Sequence, residues 1–288
     1  MKITPTTTYT LRNGVKIPVI GLGVYLSPQK ETEHIVYTGL KQGYRHVDTA
    51  KFYGNEREVS LGIAKFLEET PSCSRSDIFY TTKIYHEDFG YEETKKAIAK
   101  SLEEAKELGY IDLLLMHSPT GGKEKRLATW KAFQEFYEQG KLKAIGISNF
   151  SIAHTEELYA WDGLKVEPMV NQFEINPWLT RKELCEYCRK KGIVIEAFSP
   201  LTRGQRLDDP QLVSIAEKYP GHSTAQLLIR WSLEMGFIPL PKSSNEKRLL
   251  QNLQACDFEM SKEDVKALTH DEDYFLMNKD FDPIKNCP

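Results

Sequence analysis

The sequence has no long apolar run, no excess of positive charge and no dense set of cysteines. Each absence removes a class of protein. A membrane-spanning helix needs roughly 18 or more consecutive apolar residues, whereas the longest apolar strings, such as residues 111–116, have only the length of a strand. The formal charge is −3 at pH 7. Nucleic-acid binders carry a basic excess, so no phosphate-backbone partner is expected, although a local basic patch for one phosphorylated cofactor stays compatible. Five cysteines, an odd number, are scattered over 288 residues, which favours free thiols in a reducing compartment. Residues 1–9 are Thr-rich and lack an apolar leader core, so no secretory signal is expected. The ending Cys287-Pro288 is no prenylation box. The expected location is cytoplasmic. No linker or low-complexity block marks a boundary, and residues 1–288 read as one domain.

What is present is alternation. Short β-branched or apolar runs occur at 19–22, 45–49, 78–83, 111–117, 144–148, 169–175, 194–198 and 237–241. Amphipathic stretches follow them at 31–42, 57–68, 91–108, 127–139, 151–160, 181–191, 224–234 and 246–255. In the third, Ala97, Ile98, Leu102, Ala105 and Leu108 recur at helical spacing. Strict βα alternation implies parallel strands with helical crossovers, and eight units in roughly 250 residues imply a (β/α)8 TIM barrel. The rival, an open doubly wound sheet, often carries a Gly-rich dinucleotide turn after its first strand. Here that strand runs into Gly21-Leu22-Gly23-Val24-Tyr25-Leu26, without the third glycine. Asn13-Gly14 between alternating apolar residues predicts a hairpin over about 8–18, placed to plug the barrel's N-terminal end. A C-terminal extension, about 257–288, should begin with a short helix at 261–268 capped by Ser261 and end loop-like from Tyr274.

Barrel enzymes carry their chemistry at the C-terminal ends of the strands. Strand ends two, three and four bring Asp48, Tyr53, Lys83 and His117 toward one place. A buried ammonium beside a phenol favours the phenolate, so Lys83 is expected to lower the Tyr53 pKa. Asp48 would keep Lys83 charged. Such a tyrosine can protonate a carbonyl oxygen that is gaining negative charge, most effectively with a pKa near the working pH. His117 would hold that oxygen by hydrogen bonding.

The segment Gly43-Tyr44-Arg45-His46-Val47-Asp48-Thr49-Ala50-Lys51-Phe52-Tyr53-Gly54-Asn55-Glu56 resembles the first signature of the aldo-keto reductase superfamily. Tyr80-Thr81-Thr82-Lys83, Leu115-Met116-His117-Ser118-Pro119, Gly146-Ile147-Ser148-Asn149-Phe150, Asn171-Gln172-Phe173-Glu174 and Pro239-Leu240-Pro241-Lys242-Ser243 continue the resemblance in family order. It spans about Gly14 to Asn252 and is nearest in kind to small fungal and bacterial members with short loops. The resemblance implies NADPH-dependent reduction of aldehydes and ketones, keto esters or sugars among them, to alcohols, with hydride transfer and Tyr53 as general acid. Asp48, Tyr53, Lys83 and His117 match the catalytic tetrad. Ser148, Asn149 and Gln172 match positions that bond the nicotinamide carboxamide, and Phe198 matches an aromatic that stacks on its ring. Ser199 and Leu201 belong to the implied cofactor set. Lys242, Ser243, Ser244 and Arg248 match the surroundings of the adenosine 2′-phosphate, and Gln251 and Asn252 those of the adenine. A 2′-phosphate suits cations, hydroxyls and a helix start, which favours NADPH/NADP+ over NADH. Tyr25, Tyr85 and Ser118 match substrate-pocket positions. No metal is implied, and a monomer is.

This sequence departs from the family pattern in places. Phe198 stands where tyrosine is usual, and Gln251 where an acid is common. Tyr25 and Ser118 replace frequent tryptophans, which should widen the pocket and make it more polar. The segments at 119–129 and after Leu201, and the tail, are short. An open pocket with broad tolerance, bulky keto esters included, is therefore expected. Taken singly, each tetrad residue has a plainer explanation as a turn former, a packed ring or a solvated strand end; their joint occurrence favours the catalytic one. Cys185-Glu186-Tyr187-Cys188 lacks a redox context or a second pair and reads as helix cysteines. Asn149-Phe150-Ser151 fits an N-glycosylation acceptor that a cytosolic protein would never use. The other histidines lack metal-ligand spacing, and no Gly-x-Ser-x-Gly elbow supports a hydrolase. The alternative kept is a non-catalytic barrel that binds NADPH and regulates a partner.

Overall fold

The structure, a computed structural model, describes residues 3–277 and 281–287. The expected domain, 1–288, and its extension, 257–288, therefore run past the described residues. Strands β1 (Thr8–Thr10) and β2 (Lys16–Pro18) pair antiparallel with Tyr9 opposite Ile17. Gly14 takes φ 87° in the turn between them, and the Asn13 carboxamide accepts from the Val15 N–H, the local chemistry that favours Asn-Gly there.

Eight parallel strands follow: β3 (Leu22–Gly23), β4 (His46–Asp48), β5 (Phe79–Ile84), β6 (Ile111–Met116), β7 (Leu142–Ser148), β8 (Val170–Glu174), β9 (Val194–Phe198) and β10 (Ile238–Leu240). They pair in chain order, and a parallel bridge between Gly23 and Lys242 joins last to first. This is a (β/α)8 barrel. Its first strand is shorter and later than the expected 19–22. The neighbouring β10 carries Pro239, and Pro241 follows it; neither has an N–H to donate. The bonds that close the barrel include Gly21 N to Pro239 O and Gly23 N to Pro241 O, where each proline serves as an acceptor. Glycine is needed for the approach: a Cβ on Gly21 would lie 2.6 Å from Leu240 Cδ2 and 2.9 Å from His46 Nδ1.

The outer ring contains α1 (Gln29–Gln42), α2 (Glu56–Glu68), α3 (Tyr91–Glu104), α4 (Lys123–Glu138), α5 (Ile152–Tyr159), α6 (Lys182–Lys190), α7 (Pro210–Ala216), α8 (Thr224–Glu234) and α9 (Glu246–Leu253). Helix α3 buries Thr94, Ala97, Ile98 and Ser101, one stripe at 3.6-residue spacing. Reciprocal capping boxes start α5 (Ser151 with His154) and α8 (Ser223 with Gln226). Helix α7 was not expected. At seven residues it is too short for a periodic stripe, and its start rests on Asp209, which accepts from Gln211 N and Leu212 N ahead of Pro210. In the extension, α10 (Lys262–Leu268) is capped by Ser261 as expected. The loop-like ending is corrected by α11 (Pro283–Asn286), capped by Asp282. The Asp282 carboxylate also accepts two bonds from Arg181, at 2.7 and 3.0 Å, which ties the tail to the start of α6.

Successive strand residues face opposite sides, and this sorts the core. Val47, Tyr80, Leu114 and Ile145 face outward into the cluster shared with the helices. Phe79, Leu113, Leu115, Ala144, Val170, Ile238 and Leu240 form an inner cluster that also contains Leu11 and Ile17 of the hairpin. The hairpin thus plugs the lower end of the barrel with apolar side chains, each contributing about 1.5–3 kcal/mol when fully buried. Above this layer the interior turns polar, with His46, Asp48, Thr81, Lys83, Gln172 and Glu196 all buried.

Candidate active site

The polar layer is built from adjacent strands in register. Asp48 ends β4 opposite Thr81 of β5, and Lys83 lies two residues further along β5. A single 3-10 turn, Lys51–Tyr53, closed by Gly54 at φ 67°, folds Tyr53 back over the strand ends. His117 follows β6 directly, its N–H bonded to Ile84 O. The structure thereby brings all four expected residues together. Lys83 is fully buried and donates to Asp48 Oδ1 at 2.7 Å, to Thr49 O at 2.8 Å and toward the Tyr53 hydroxyl at 3.5 Å. All three ammonium hydrogens have a destination. The Tyr53 and His117 rings stand 5.7 Å apart, edge to face.

Burial sets the protonation states. Burial lowers the Lys83 pKa most, but its acidic surroundings, led by the charge and hydrogen bond of Asp48, outweigh it, and the net shift is upward. The ammonium is fixed. Tyr53 differs from expectation. Lys83 does pull its pKa down, yet desolvation is larger and Asp48 opposes the pull, so the net shift is upward. Tyr53 is a neutral phenol at physiological pH, a proton donor rather than a phenolate. Burial, then the Lys83 charge, hold His117 well below the ordinary histidine range, as a neutral imidazole.

These groups floor one end of a cavity of about 820 Å³, toward the upper end of the roughly 300–1,000 Å³ usual for small-molecule sites. Asp48, Tyr53 and His117 line it, with Lys83 buried behind them. Each of Ser148, Asn149, Gln172, Phe198, Ser199, Leu201, Lys242, Ser243, Ser244, Arg248, Gln251 and Asn252 lines it too. Asn149 (φ 62°) and Ser199 (φ 50°) hold left-handed backbone at its wall, a strained conformation that recurs at functional sites. Asn149 Nδ2 donates to His117 O and to Ser148 Oγ, coupling β7 to β6. Also on the wall, Lys242 donates to Ser244 Oγ at 2.9 Å. Its pKa is lowered, by burial first, with the Arg248 charge adding in the same direction.

Tyr25 and Tyr85 form the mouth, Tyr25 4.8 Å from the Tyr53 ring. Ser118 does not line the cavity. It follows His117 in the loop after β6, and its buried Oγ has no partner among the described residues. The extra polarity expected from Ser118 is therefore not at the pocket. Phe52, stacked on Tyr85 at 4.3 Å, and Arg203, over the Tyr25 ring at 5.7 Å, are lining residues missing from the sequence reading. Phe52 sits beside Tyr53, and that adjacency was the available signal. Arg203 had none, because its approach depends on the loop leading to α7. Among the described residues no cluster of three or more His, Cys, Asp or Glu is placed to hold a metal. Nor, among these residues, is any helix long and apolar enough to cross a membrane.

The model of the aldo/keto reductase family matches residues 20–271. The chain belongs to this family. It is 49% identical over 267 residues to an uncharacterised oxidoreductase of Saccharomyces cerevisiae, covering 92% of this chain and 94% of that one. It is 44% identical over 269 residues to the glyoxal reductase of Bacillus subtilis, covering 92% and 94%. Among solved structures, the Bombyx mori aldo-keto reductase in complex with NADP superposes with a TM-score of 0.83 at 33% identity, covering 91% of this chain and 92% of that one. As an aldo/keto reductase the chain is an oxidoreductase, and the likeness to the silkworm complex supports use of a nicotinamide cofactor.

Proposed function

We propose that this protein is an NADPH-dependent reductase of small aldehydes and ketones with Tyr53 as proton donor, working as a monomeric single-barrel enzyme in the cytoplasm. One observation carries the reading: the buried Asp48–Lys83–Tyr53 chain opens, beside a neutral His117, into a cavity that is also lined by Lys242, Arg248 and several hydroxyls. That distribution fits a phosphorylated dinucleotide. Lys242, Ser243, Ser244 and Arg248 supply cations and hydroxyls for a 2′-phosphate. Ser148, Asn149 and Gln172 supply amide and hydroxyl groups for a carboxamide, and Phe198 a face for its ring. The cofactor supplies a hydride to the carbonyl carbon. The protein supplies the rest. The carbonyl oxygen binds between the Tyr53 hydroxyl and the His117 imidazole. As it gains charge, Tyr53 releases its proton to it, and the Lys83 ammonium stabilises the phenolate left behind. Asp48 keeps that ammonium in place.

The likeness to glyoxal reductase favours small, activated carbonyls, and the open mouth admits larger keto esters. NADPH oxidation, followed at the nicotinamide absorbance with glyoxal, an aromatic aldehyde, an aldose and an α-keto ester, tests the reading, with NADH in parallel. Turnover with NADPH that vanishes in Tyr53→Phe, with cofactor binding retained, is the expected result. Wild-type rates in Tyr53→Phe would refute the proton-donor role. Binding of NADPH without turnover of any carbonyl would instead support a regulatory barrel.

A further inference from the structure

Beneath the tetrad lies a second carboxyl that the mechanism above does not use. Glu196 sits mid-strand in β9, fully buried, in register with Gln172 of β8. The Gln172 side-chain nitrogen donates to Asp48 Oδ2 at 2.9 Å and to Glu196 Oε2 at 2.8 Å. A primary amide has two N–H donors, so both are consumed below the cavity floor. The group facing Asp48 must be the nitrogen, because Asp48 accepts through its other oxygen from the Lys83 ammonium. Gln172 nevertheless lines the cavity, and the polar atom it has left to offer there is the carbonyl oxygen. Burial pushes the Glu196 carboxyl above the usual carboxylate range, with the Asp48 charge acting in the same direction. Its proton has a place on Oε1, which has no hydrogen-bond partner among the described residues and lies 3.6 Å from His46 Nε2. Oε2 is then free to accept from Gln172.

We propose that Glu196 is a positioning residue that, with Asp48, locks the Gln172 amide so that it presents only a hydrogen-bond acceptor to the pocket, selecting a cofactor ring substituent that carries N–H donors. This rests on the nicotinamide-cofactor reading. Without Glu196, one Gln172 N–H is released, and it competes with the carbonyl oxygen for the pocket-facing position. Donor selection is then lost even where the fold is kept.

The test compares binding of NADP+ with that of its 3-acetylpyridine analogue, whose acetyl group keeps the carbonyl acceptor and lacks N–H. Both dissociation constants are read from quenching of tryptophan fluorescence, independently of turnover. One hydrogen bond of ordinary worth predicts that the wild type prefers NADP+ by about tenfold. Glu196→Met, close in volume and without an acceptor, should shrink the preference to within about twofold. Glu196→Gln retains an acceptor oxygen for Gln172 and should restore it. Gln172→Met should collapse the preference too, and Gln172→Met/Glu196→Met should show no further loss, since Glu196 acts through Gln172. Glu196→Thr, too short to reach the amide, gives the same reading if the methionine variant misfolds. A Glu196→Met protein that weakens both ligands equally, or keeps the wild-type ratio, overturns the proposal and leaves Glu196 a packing residue. A wild type that binds both ligands equally overturns the selection while sparing the cofactor reading. A wild type that binds neither overturns both.

Discussion

Removing Asp48 should destabilise the whole barrel and make its stability rise with pH across a range where the wild-type ion pair contributes evenly. Lys83 has no exposed surface, and Asp48 is its ion-pair partner at 2.7 Å. Breaking a buried pair by deleting one member costs about 3–5 kcal/mol, because an uncompensated charge stays behind. Gln172 also loses an acceptor, worth about 1 kcal/mol more. In a chain this long each kcal/mol moves the midpoint by roughly 2 °C, so Asp48→Ala should melt on the order of 8–12 °C lower. In the wild type the Lys83 pKa is raised. The pair's contribution is therefore fully present below the unfolded lysine value, about 10.4, and is lost only as pH rises through the still higher folded value. Across pH 6–9 it is flat. In Asp48→Ala the burial that was outweighed now dominates, and the folded pKa drops below the unfolded one. The unfolded state then binds more protons, and stability rises with pH, by up to about 1.4 kcal/mol per unit. Glu196 keeps its proton while Asp48 is charged, and loss of that charge frees its carboxyl to ionise beside Lys83, so Asp48→Ala/Glu196→Gln should steepen the slope. Urea unfolding at pH 6, 7.5 and 9 measures it. A loss below about 1 kcal/mol with no slope in either variant would show that Lys83 is not held as a buried ammonium.

Four further outcomes follow from the same geometry. Because burial holds His117 neutral and Tyr53 protonated, kcat/KM for reduction should be level from pH 6 to 8 and fall only on the alkaline side, as Tyr53 loses its proton; a loss centred near pH 6.5 would assign the essential state to a charged His117. Lys242→Ala and Arg248→Ala should each raise the NADPH dissociation constant by roughly tenfold or more, the worth of one charge-assisted hydrogen bond, and leave NADH unchanged, as titration would show. Arg181→Met strands the buried Asp282 carboxylate and should free the tail, seen as rapid limited proteolysis beyond residue 270 with the barrel intact. Gly21→Ala forces a methyl within 2.6 Å of Leu240 and should cost about 1–3 kcal/mol by overpacking, read from urea unfolding.

The barrel itself is legible because its signal is repeated. Eight alternations, the hairpin's Asn13-Gly14 and the Ser261 cap are local patterns, and local patterns survive whatever the tertiary context does. The tetrad is legible for a related reason: each member stands at the end of a strand or one turn beyond it, where register fixes the side a residue faces. Register does not extend to Ser118, which lies in the loop after β6, and there adjacency to His117 does not place a residue on the pocket wall. Helix α7 fell between the two scales, with a clear cap at Asp209-Pro210 and too few residues for periodicity.

What sequence withholds is depth. Lys83 beside Tyr53 suggests a lowered phenol pKa, and the direction of that single effect is right; the net shift is upward because desolvation at the barrel's centre is larger. Glu196 shows the same limit from the other side. In Val194-Ile195-Glu196-Ala197-Phe198 it reads as one polar interruption of an apolar strand. Its meaning comes from Gln172, 24 residues earlier and directly opposite in register. A carboxyl placed at full burial under an amide is costly unless hydrogen-bonded, and the partner it has found is the one side chain linking it to Asp48 and to the cavity. The polar layer is thus a single connected unit, Lys83–Asp48–Gln172–Glu196, in which the group that fixes the proton donor also fixes the amide above it. Substitutions in this layer should therefore couple non-additively, with changes at Glu196 felt in cofactor selection and changes at Asp48 felt in both selection and proton transfer.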